Sequence, residues 1–359
     1  MLKMGLTSEE QLAHLTQTIA RRILLSSRKV LPFSDIQEFL PHLLAETAER
    51  TDHLVAAGHI SPDVVIAADR TELKVLETVD VSPFTAGVDA ALSKIVTGSE
   101  LIYAANPNRV TGANFGLADL ETLVQAVPEG FLLVDEYYFD YFGITGLPLL
   151  EQYSNVCVLR SFAAAFGVES SDSGYIAGPS NLIDRMRGRI SNQIITTTIY
   201  RTAITSLEND AALDLRLKTL HDEAMRLSTE LTGRGLQNRI TAADFLLLRV
   251  KDPTVVGNHL TRYKVPVENL DGYPLLKGYL RYKIQSPLSN DRLLNAISRI
   301  PAEQYRLTTI DKRVVTLRRP AEASQSEQPA VINRKPVKLT RATEEAEAEI
   351  QTNSTRIRH

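Results

Sequence analysis

Cysteine and tryptophan are nearly absent from this sequence of 359 residues, which has one cysteine and no tryptophan. A single thiol forms no internal disulfide, so the chain lacks the cross-links typical of small secreted proteins, and we expect a cytoplasmic protein. The cysteine, Cys157, lies in the apolar run Val156–Leu159. We therefore interpret it as a packed core side chain rather than a catalytic thiol.

Metal ligands, excess charge and long apolar runs are also lacking. The seven histidines are scattered without paired ligand spacing, which predicts no metal site. A net charge of -3 offers no basic surface to nucleic acid or to an anionic membrane. No apolar run approaches the roughly 20 residues that span a bilayer, and residues 1–10 have no apolar core of a signal peptide. We expect no metal, no nucleic-acid partner and no membrane partner.

Apolar periodicity predicts how the chain is organised. Residues 1–58 are predicted to be helical, because leucine and isoleucine recur at helical spacing after a capping signal at Thr7. From Val64 onwards, short apolar runs alternate with helical stretches, which is typical of a mostly parallel sheet covered by helices. The predicted strands are Val64–Ile66, Leu101–Tyr103, Phe131–Val134, Val156–Leu159 and Tyr175–Ala177, and the predicted helices are residues 119–127, 181–190 and one long helix over 200–231.

A smaller α+β unit follows. It contains predicted strands Phe245–Val250 and Leu280–Ile284, a helix Val255–Tyr263, and a last helix capped by residues 289–291. After residue 307 the composition turns to Pro, Ser, Glu and Gln, which cannot bury a core. The predicted domains are an N-terminal helical arm that joins the small domain (1–58), a large domain (59–234), a small α+β domain (235–306) and a flexible tail (307–359).

Four short motifs occur in a fixed order along the predicted large domain. They are Asn106–Gly112 (NPNRVTG), Val134–Asp140 (VDEYYFD), Ser161–Gly167 (SFAAAFG) and the pair Gly174-Tyr175. Together they resemble the signature turns of the fold-type I aminotransferases that depend on pyridoxal phosphate (PLP). Residues 243–245 and 279–294 extend the resemblance to the histidinol-phosphate branch, over about residues 60–300. The implied fold is α/β, with an aminotransferase-like large domain and a small α+β domain.

The resemblance implies cofactor and substrate roles for five residues that the chain keeps. Asp135 matches the carboxylate that keeps the pyridine ring an electron sink, and Tyr138 matches the tyrosine that bonds the ring hydroxyl. Ser161 and Asn106 match further cofactor contacts. Arg281 matches the arginine that holds the acidic end of the substrate. Two alternatives stay open: Asp135 as a cap of the following turn, and Arg281 as an inter-domain salt bridge.

Other positions depart from the family pattern. The Schiff-base lysine falls on Ala164, and an alanine cannot form an imine. The neighbouring phosphate serine falls on Ala163, the phosphate arginine on Asp172, and the ring-contacting asparagine on Arg109. Asp172 would repel a phosphate dianion. We therefore predict no catalytic residue and no bound cofactor, with PLP as the cofactor only if the chain is active.

The family's glycine-rich cup falls on Ala67–Glu72, where the close-approach glycines are missing. The segment that follows the cup, with one helix, one strand and the aromatic residue stacked on the cofactor, is predicted to be deleted between residues 73 and 74. We therefore expect a reduced sheet.

A second hypothesis concerns the charges of the vacated site. Arg109 is predicted to pair with Asp172, and Arg70 with Asp69, so that compensating charges fill the space that the cofactor would occupy.

The tail segment Lys338–Glu345 resembles the first strand of imidazoleglycerol-phosphate dehydratase, except that Ala346 replaces a threonine of that pattern. This resemblance also points to histidine biosynthesis. The first functional class is a degenerate, non-catalytic relative that acts as a binding or regulatory partner in that pathway, or is a relic. The alternative is an active transaminase that exchanges an amino group between histidinol phosphate and 2-oxoglutarate. The resemblance implies a homodimer, and a hetero-partner in the same pathway is the other expectation.

Overall fold

Two β-sheets organise the protein in the computed structural model, which describes residues 6–85, 87–162, 172–190 and 195–307. The larger sheet has the strand order β1-β7-β6-β5-β4-β2-β3. Its strands are β1 (Val30–Phe33), β2 (His53–Ala57), β3 (Lys74–Thr78), β4 (Leu101–Ala105), β5 (Phe131–Asp135), β6 (Val156–Ser161) and β7 (Gly174–Ala177). Strands β3, β2, β4, β5 and β6 run parallel, and β7 pairs antiparallel with both β6 and β1.

The smaller sheet is antiparallel throughout, in the order β10-β11-β9-β8. Its strands are β8 (Gln237–Ile240), β9 (Phe245–Arg249), β10 (Glu268–Asn269) and β11 (Tyr279–Lys283). The helices are α1 (Ser8–Arg22), α2 (Ile36–Thr47), α3 (Pro62–Arg70), α4 (Val88–Leu92), α5 (Leu117–Ala126), α6 (Phe139–Phe142), α7 (Ser180–Arg189), α8 (Thr197–Glu208), α9 (Asp210–Gly233), α10 (Pro253–Arg262), α11 (Pro287–Ile297) and α12 (Ala302–Tyr305).

Both faces of the large sheet are buried. Every residue of β4 is buried, and the apolar side chains of β4, β5 and β6 divide between two core clusters on opposite faces. Continuous apolar strands of this kind are stable only where helices cover the sheet on both sides. Because five strands of this sheet are parallel, their carboxyl ends meet at one edge of the sheet, where ligand sites of α/β proteins lie. Asp135 ends β5 at that edge.

The predicted fold class is confirmed, and so are several elements. Helix α1 begins after Thr7, whose side chain and that of Glu10 form a reciprocal capping box. Helix α2 covers the predicted helical spacing, and strands β4 to β7 fall on four of the predicted apolar runs. The domain boundaries stay a prediction, and residues 308–359, which include almost all of the predicted tail, lie outside the described residues.

The prediction of a strand at Val64–Ile66 is wrong, because these residues lie in α3. Pro62 occupies the first turn of the helix, where its missing N–H costs nothing. Val64 is buried and Ile66 is half exposed, so only one side of the run packs on the core. An apolar run of three residues fits a helix as well as a strand, and periodicity does not separate the two.

The predicted position of the glycine-rich cup is also wrong. Residues 67–70 form the end of α3 and residues 71–73 form the turn that leads into β3. The large sheet has seven strands, so the expected reduction of the sheet is wrong as well. Strands β1 and β2, which the sequence did not predict, lie before residue 58 and belong to this sheet.

Two helix boundaries also differ from the prediction. The long helix predicted over residues 200–231 is broken at Asn209, whose side chain accepts a hydrogen bond from Ala212 and so begins α9. The last predicted helix, α11, is capped by Ser286 rather than by residues 289–291.

Gly174 allows β7 to approach its neighbours closely, which gives a first prediction. A Cβ at this position would lie 2.1 Å from the carbonyl oxygen of Arg160 and 2.8 Å from the ring of Phe33. We expect Gly174→Ala to lower the free energy of unfolding by about 3 kcal/mol, the cost of overpacking a rigid core. Chemical denaturation measures this loss. The matched control is Gly188→Ala in α7, where nothing lies within 4 Å of the new Cβ. An equal loss in both variants would contradict the packing argument.

Candidate functional site

The carboxylate of Asp135 is the centre of the candidate site, and its side chain is almost completely buried. Its Oδ2 accepts a hydrogen bond of 2.5 Å from the hydroxyl of Tyr103, on the neighbouring strand β4. Its Oδ1 accepts one of 3.0 Å from the backbone N–H of Tyr137. Burial raises the pKa of Asp135, and the guanidinium of Arg109 acts against that rise. Asp135 therefore caps the following turn, as one of the two alternatives expected, but only through Oδ1.

Arg109 supplies the positive charge beside Asp135. Its Nη1 lies 3.5 Å from Oδ2 of Asp135 and 2.6 Å from Oδ2 of Asp63, in the first turn of α3. Burial alone would lower the pKa of Arg109, but the two carboxylates raise it above its ordinary value. Burial would raise the pKa of Asp63, but Arg109 together with hydrogen bonds lowers it.

The hypothesis of compensating charges is therefore right about Arg109 and wrong about its partner. Arg109 pairs with Asp63 and Asp135, whereas the exposed Asp172 accepts a backbone hydrogen bond from Ile36 through its carbonyl oxygen. Arg70 does not pair with Asp69 as predicted, because its Nη1 donates to the carbonyl oxygen of Gln37.

The loop Asn106–Gly112 carries Arg109 and is held by two buried asparagines. Asn108 accepts hydrogen bonds from the backbone N–H groups of the residues at 110 and 111, and it donates 2.7 Å to the carbonyl of His59. Asn106, predicted to contact a cofactor, is fully buried and accepts a hydrogen bond of 2.9 Å from the backbone N–H of Phe115. Both asparagine side chains therefore stabilise the conformation of the loop.

Tyr138 and Arg281 both interact with other parts of the chain. Burial raises the pKa of Asp244, which lies just before strand β9, and Lys283 and the Tyr138 hydroxyl oppose that rise. Arg281, on β11, pairs with Glu268 on β10, and its Nη1 donates 2.5 Å to the carbonyl oxygen of Arg109. Arg281, which the resemblance assigns to the substrate, thus connects the small sheet to the loop that carries Arg109. The roles of Tyr138 and Arg281 towards a cofactor or substrate stay predictions.

A small cleft, partly open to solvent, borders this cluster. It brings together three of the sequence-predicted positions, Asp135, Ser161 and Arg109, with Asp172 at its wall. Among the described lining residues none is a lysine; they are Phe33, Ile36, Arg109, Asp135, Tyr137, Leu159, Arg160, Ser161 and Asp172. Ser161 Oγ donates a long hydrogen bond of 3.4 Å to the carbonyl of Ser173. Ala163 and Ala164 lie outside the described residues.

A buried ion pair next to the cleft was not predicted from the sequence. Arg160 donates 2.8 Å to Glu136, and Thr145 bonds to both side chains. The Arg160 guanidinium also lies 3.5 Å from the ring centre of Phe139. Burial raises the pKa of Glu136 while Arg160 opposes it. The sequence offers one signal for this pair. Glu136 directly follows strand β5, Arg160 lies near the end of strand β6, and the parallel pairing of these strands brings the two residues together.

Comparison with solved structures assigns the fold to the aminotransferase class. The histidinol-phosphate aminotransferase from Clostridium acetobutylicum has a TM-score of 0.73 over 82% of this chain and 90% of that chain, at 16% identity. The enzyme from Sinorhizobium meliloti, solved in complex with pyridoxal-5'-phosphate, has a TM-score of 0.72 over 80% of each chain, at 17% identity.

Sequence comparison then gives the family. A profile of aminotransferase class I and II matches residues 59–300, and the chain belongs to this family. Histidinol-phosphate aminotransferase 1 from Burkholderia lata is 31% identical over 245 residues, which cover 66% of this chain and 68% of the relative. Histidinol-phosphate aminotransferase from Chlorobium luteolum is 31% identical over 207 residues, 56% of each chain. Against relatives such as this one, the match spans little more than half of their length.

The fit of PLP to the cleft can be tested on the described side chains. A bound pyridine nitrogen needs a carboxylate oxygen that faces the cleft. Oδ2 of Asp135 already receives the Tyr103 hydroxyl and the Arg109 cation, and Oδ1 receives a backbone N–H. Arg109 itself lines the cleft at this point. The described residues therefore leave neither oxygen of Asp135 without a partner at the position that the resemblance assigns to the pyridine nitrogen.

In the described segments, no cluster of three histidine, cysteine, aspartate or glutamate side chains is arranged to hold a metal ion. No helix in those segments is both long and apolar enough to cross a membrane.

The Glu136–Arg160 pair gives a second prediction, about stability. Arg160→Met leaves a buried carboxylate without its cation, so we expect the free energy of unfolding to fall by about 3–5 kcal/mol. Urea denaturation measures the loss. The control is Lys218→Met, which removes an exposed pair with Asp222 and should cost no more than about 0.5 kcal/mol. If both variants unfolded at the same urea concentration, the buried pair would have no structural role.

Proposed function

We propose that this protein is a non-catalytic member of the aminotransferase family, which acts by binding as a partner or regulator in histidine biosynthesis. One observation carries the proposal: no lysine lines the cleft beside Asp135 among the described residues. The undescribed segment 163–171 has the sequence AAAFGVESS, so it brings no lysine to the cleft either. Its Ala164 is the position that the resemblance assigns to the Schiff-base amine.

The chemistry of the family depends on that amine. A lysine forms the imine with the aldehyde of the cofactor and then moves the α-proton of the substrate. A methyl group does neither. The described residues of the cleft, among them Arg109 at the carboxylate of Asp135, include no other primary amine that could form the imine.

The link to histidine biosynthesis rests on the names of the relatives, which are histidinol-phosphate aminotransferases. The resemblance of residues 338–345 to the dehydratase of the same pathway supports it. We propose a cytoplasmic homodimer, or a complex with another protein of that pathway, because a protein that has lost its reaction can still contribute an interaction surface.

The second candidate is an active transaminase that acts on histidinol phosphate with 2-oxoglutarate. It is favoured by the retention of Asp135, Tyr138 and Arg281 at the positions that the family uses. The two candidates differ in one measurable product, a covalent bond between a lysine and the cofactor.

The third prediction concerns this bond. After incubation with PLP and borohydride reduction, we expect mass spectrometry of tryptic peptides to find only low, dispersed labelling of surface lysines, and no aldimine absorbance band. We also expect no turnover of histidinol phosphate above the rate without protein. Asp135→Asn is the matched control, because labelling at a true cofactor site depends on this carboxylate and labelling of surface lysines does not. A stoichiometric adduct on one lysine that is lost in Asp135→Asn would establish the active alternative.

A further inference from the structure

We propose that Arg109 is an internal ligand of the cleft: its guanidinium takes the place of a cationic aromatic ring beside Asp135, and its removal uncovers a site for protonated heteroaromatic rings. The inference deepens the proposed function and rests on it. It explains how a buried acid can persist in a protein without a cofactor, and it assigns a role to a residue where the chain departs from its family.

The charge of Asp135 is compensated within the chain. An uncompensated carboxylate buried to the extent of Asp135 is very unfavourable. Two neutral donors, the Tyr103 hydroxyl and the Tyr137 N–H, bond to its oxygens. Arg109 is the cation that the described residues place beside it, at 3.5 Å. The charge that a bound cation would supply is therefore already provided by the chain.

The Arg109 guanidinium also has the shape of a flat cationic ring. The Arg109 guanidinium lies 4.3 Å from the centre of the Tyr137 ring. A guanidinium is planar, permanently charged and weakly hydrated, so it packs on aromatic faces in the way that a flat cationic ring does. A carboxylate at one side and an aromatic face at another are the two elements that would recognise a pyridinium or imidazolium ring.

Contacts other than the one with Asp135 hold Arg109 in place. The carbonyl oxygen of Arg109 accepts a hydrogen bond from Arg281 of the small sheet, and the side chain of Asn108 bonds to the two residues that follow Arg109. Asp63 holds the same Nη1 at 2.6 Å. A side chain fixed at its backbone and at its head loses little further entropy, so a free ring cannot easily displace it.

The experiment uses the full chain and pyridoxine, a fluorescent pyridine that has no aldehyde and cannot form an imine. In a fluorescence titration we expect the native protein to show no saturation up to millimolar pyridoxine. Arg109→Ala should bind at least tenfold more tightly, and Arg109→Ala combined with Asp135→Asn should return to the native behaviour. The matched control is Arg239→Ala, because Arg239 also stacks on an aromatic ring, Phe84, at 4.6 Å. It should bind pyridoxine no better than the native protein.

Arg109→Gln is a second variant, which keeps hydrogen-bonding capacity for Asp63 and Asp135 without the charge and is therefore easier to fold. Thermal unfolding of each variant, with and without pyridoxine, should show a rise in melting temperature that is confined to the Arg109 variants. A folded Arg109 variant without gain in affinity, or an equal gain in Arg239→Ala, would overturn the inference. These outcomes do not test the proposed function. The proposed function is wrong only if the native protein forms an imine with PLP, which is a separate measurement.

Discussion

The compensation of one buried carboxylate governs the arrangement of the candidate site. Asp135 ends a strand that is buried on both sides, so its charge can persist only beside a cation and hydrogen-bond donors. Tyr103 reaches it from the neighbouring parallel strand, and Arg109 reaches it from the loop that follows that strand. The same loop accepts the hydrogen bond of Arg281. The connection between the two sheets thus passes through the residue that neutralises Asp135.

The fold of this protein and the chemistry of its candidate site depend on different residues. The two sheets have the fold of solved aminotransferases, and the family profile covers all of the small sheet and five of the seven strands of the large sheet. A shared fold does not imply a shared reaction, because reactions depend on a few side chains at the site. Here side chains that the resemblance assigns to the site interact within the chain: Arg281 pairs with Glu268, and Arg109 pairs with Asp135. Buried polar groups that find partners within the chain avoid the cost of an unsatisfied group.

The wrong predictions about the large sheet arise because local apolar patterns do not record tertiary contacts. The run Val64–Ile66 is too short to separate the two periodicities, and only the packing of α3 against the core selects the helix. A strand at this run also implies a cup at Ala67–Glu72 and a deletion after it, so both predictions depend on the same short pattern. The strands that complete the sheet, β1 and β2, lie in a segment whose helical periodicity was stronger. Their pairing partners are distant in sequence, and no local pattern identifies them.

The sequence by itself determined the family, the order of the motifs along the chain and the residue at each motif position, with Ala164 at the position that the resemblance assigns to the lysine. These follow from local patterns, which a linear chain records directly. Only the tertiary structure decided which charges meet. Arg109 pairs with Asp63, 46 residues away, and not with Asp172 as expected, and its carbonyl meets Arg281, 172 residues away. Such partners are set by how strands and helices pack, because a short distance in space between residues far apart in sequence exists only in the folded chain.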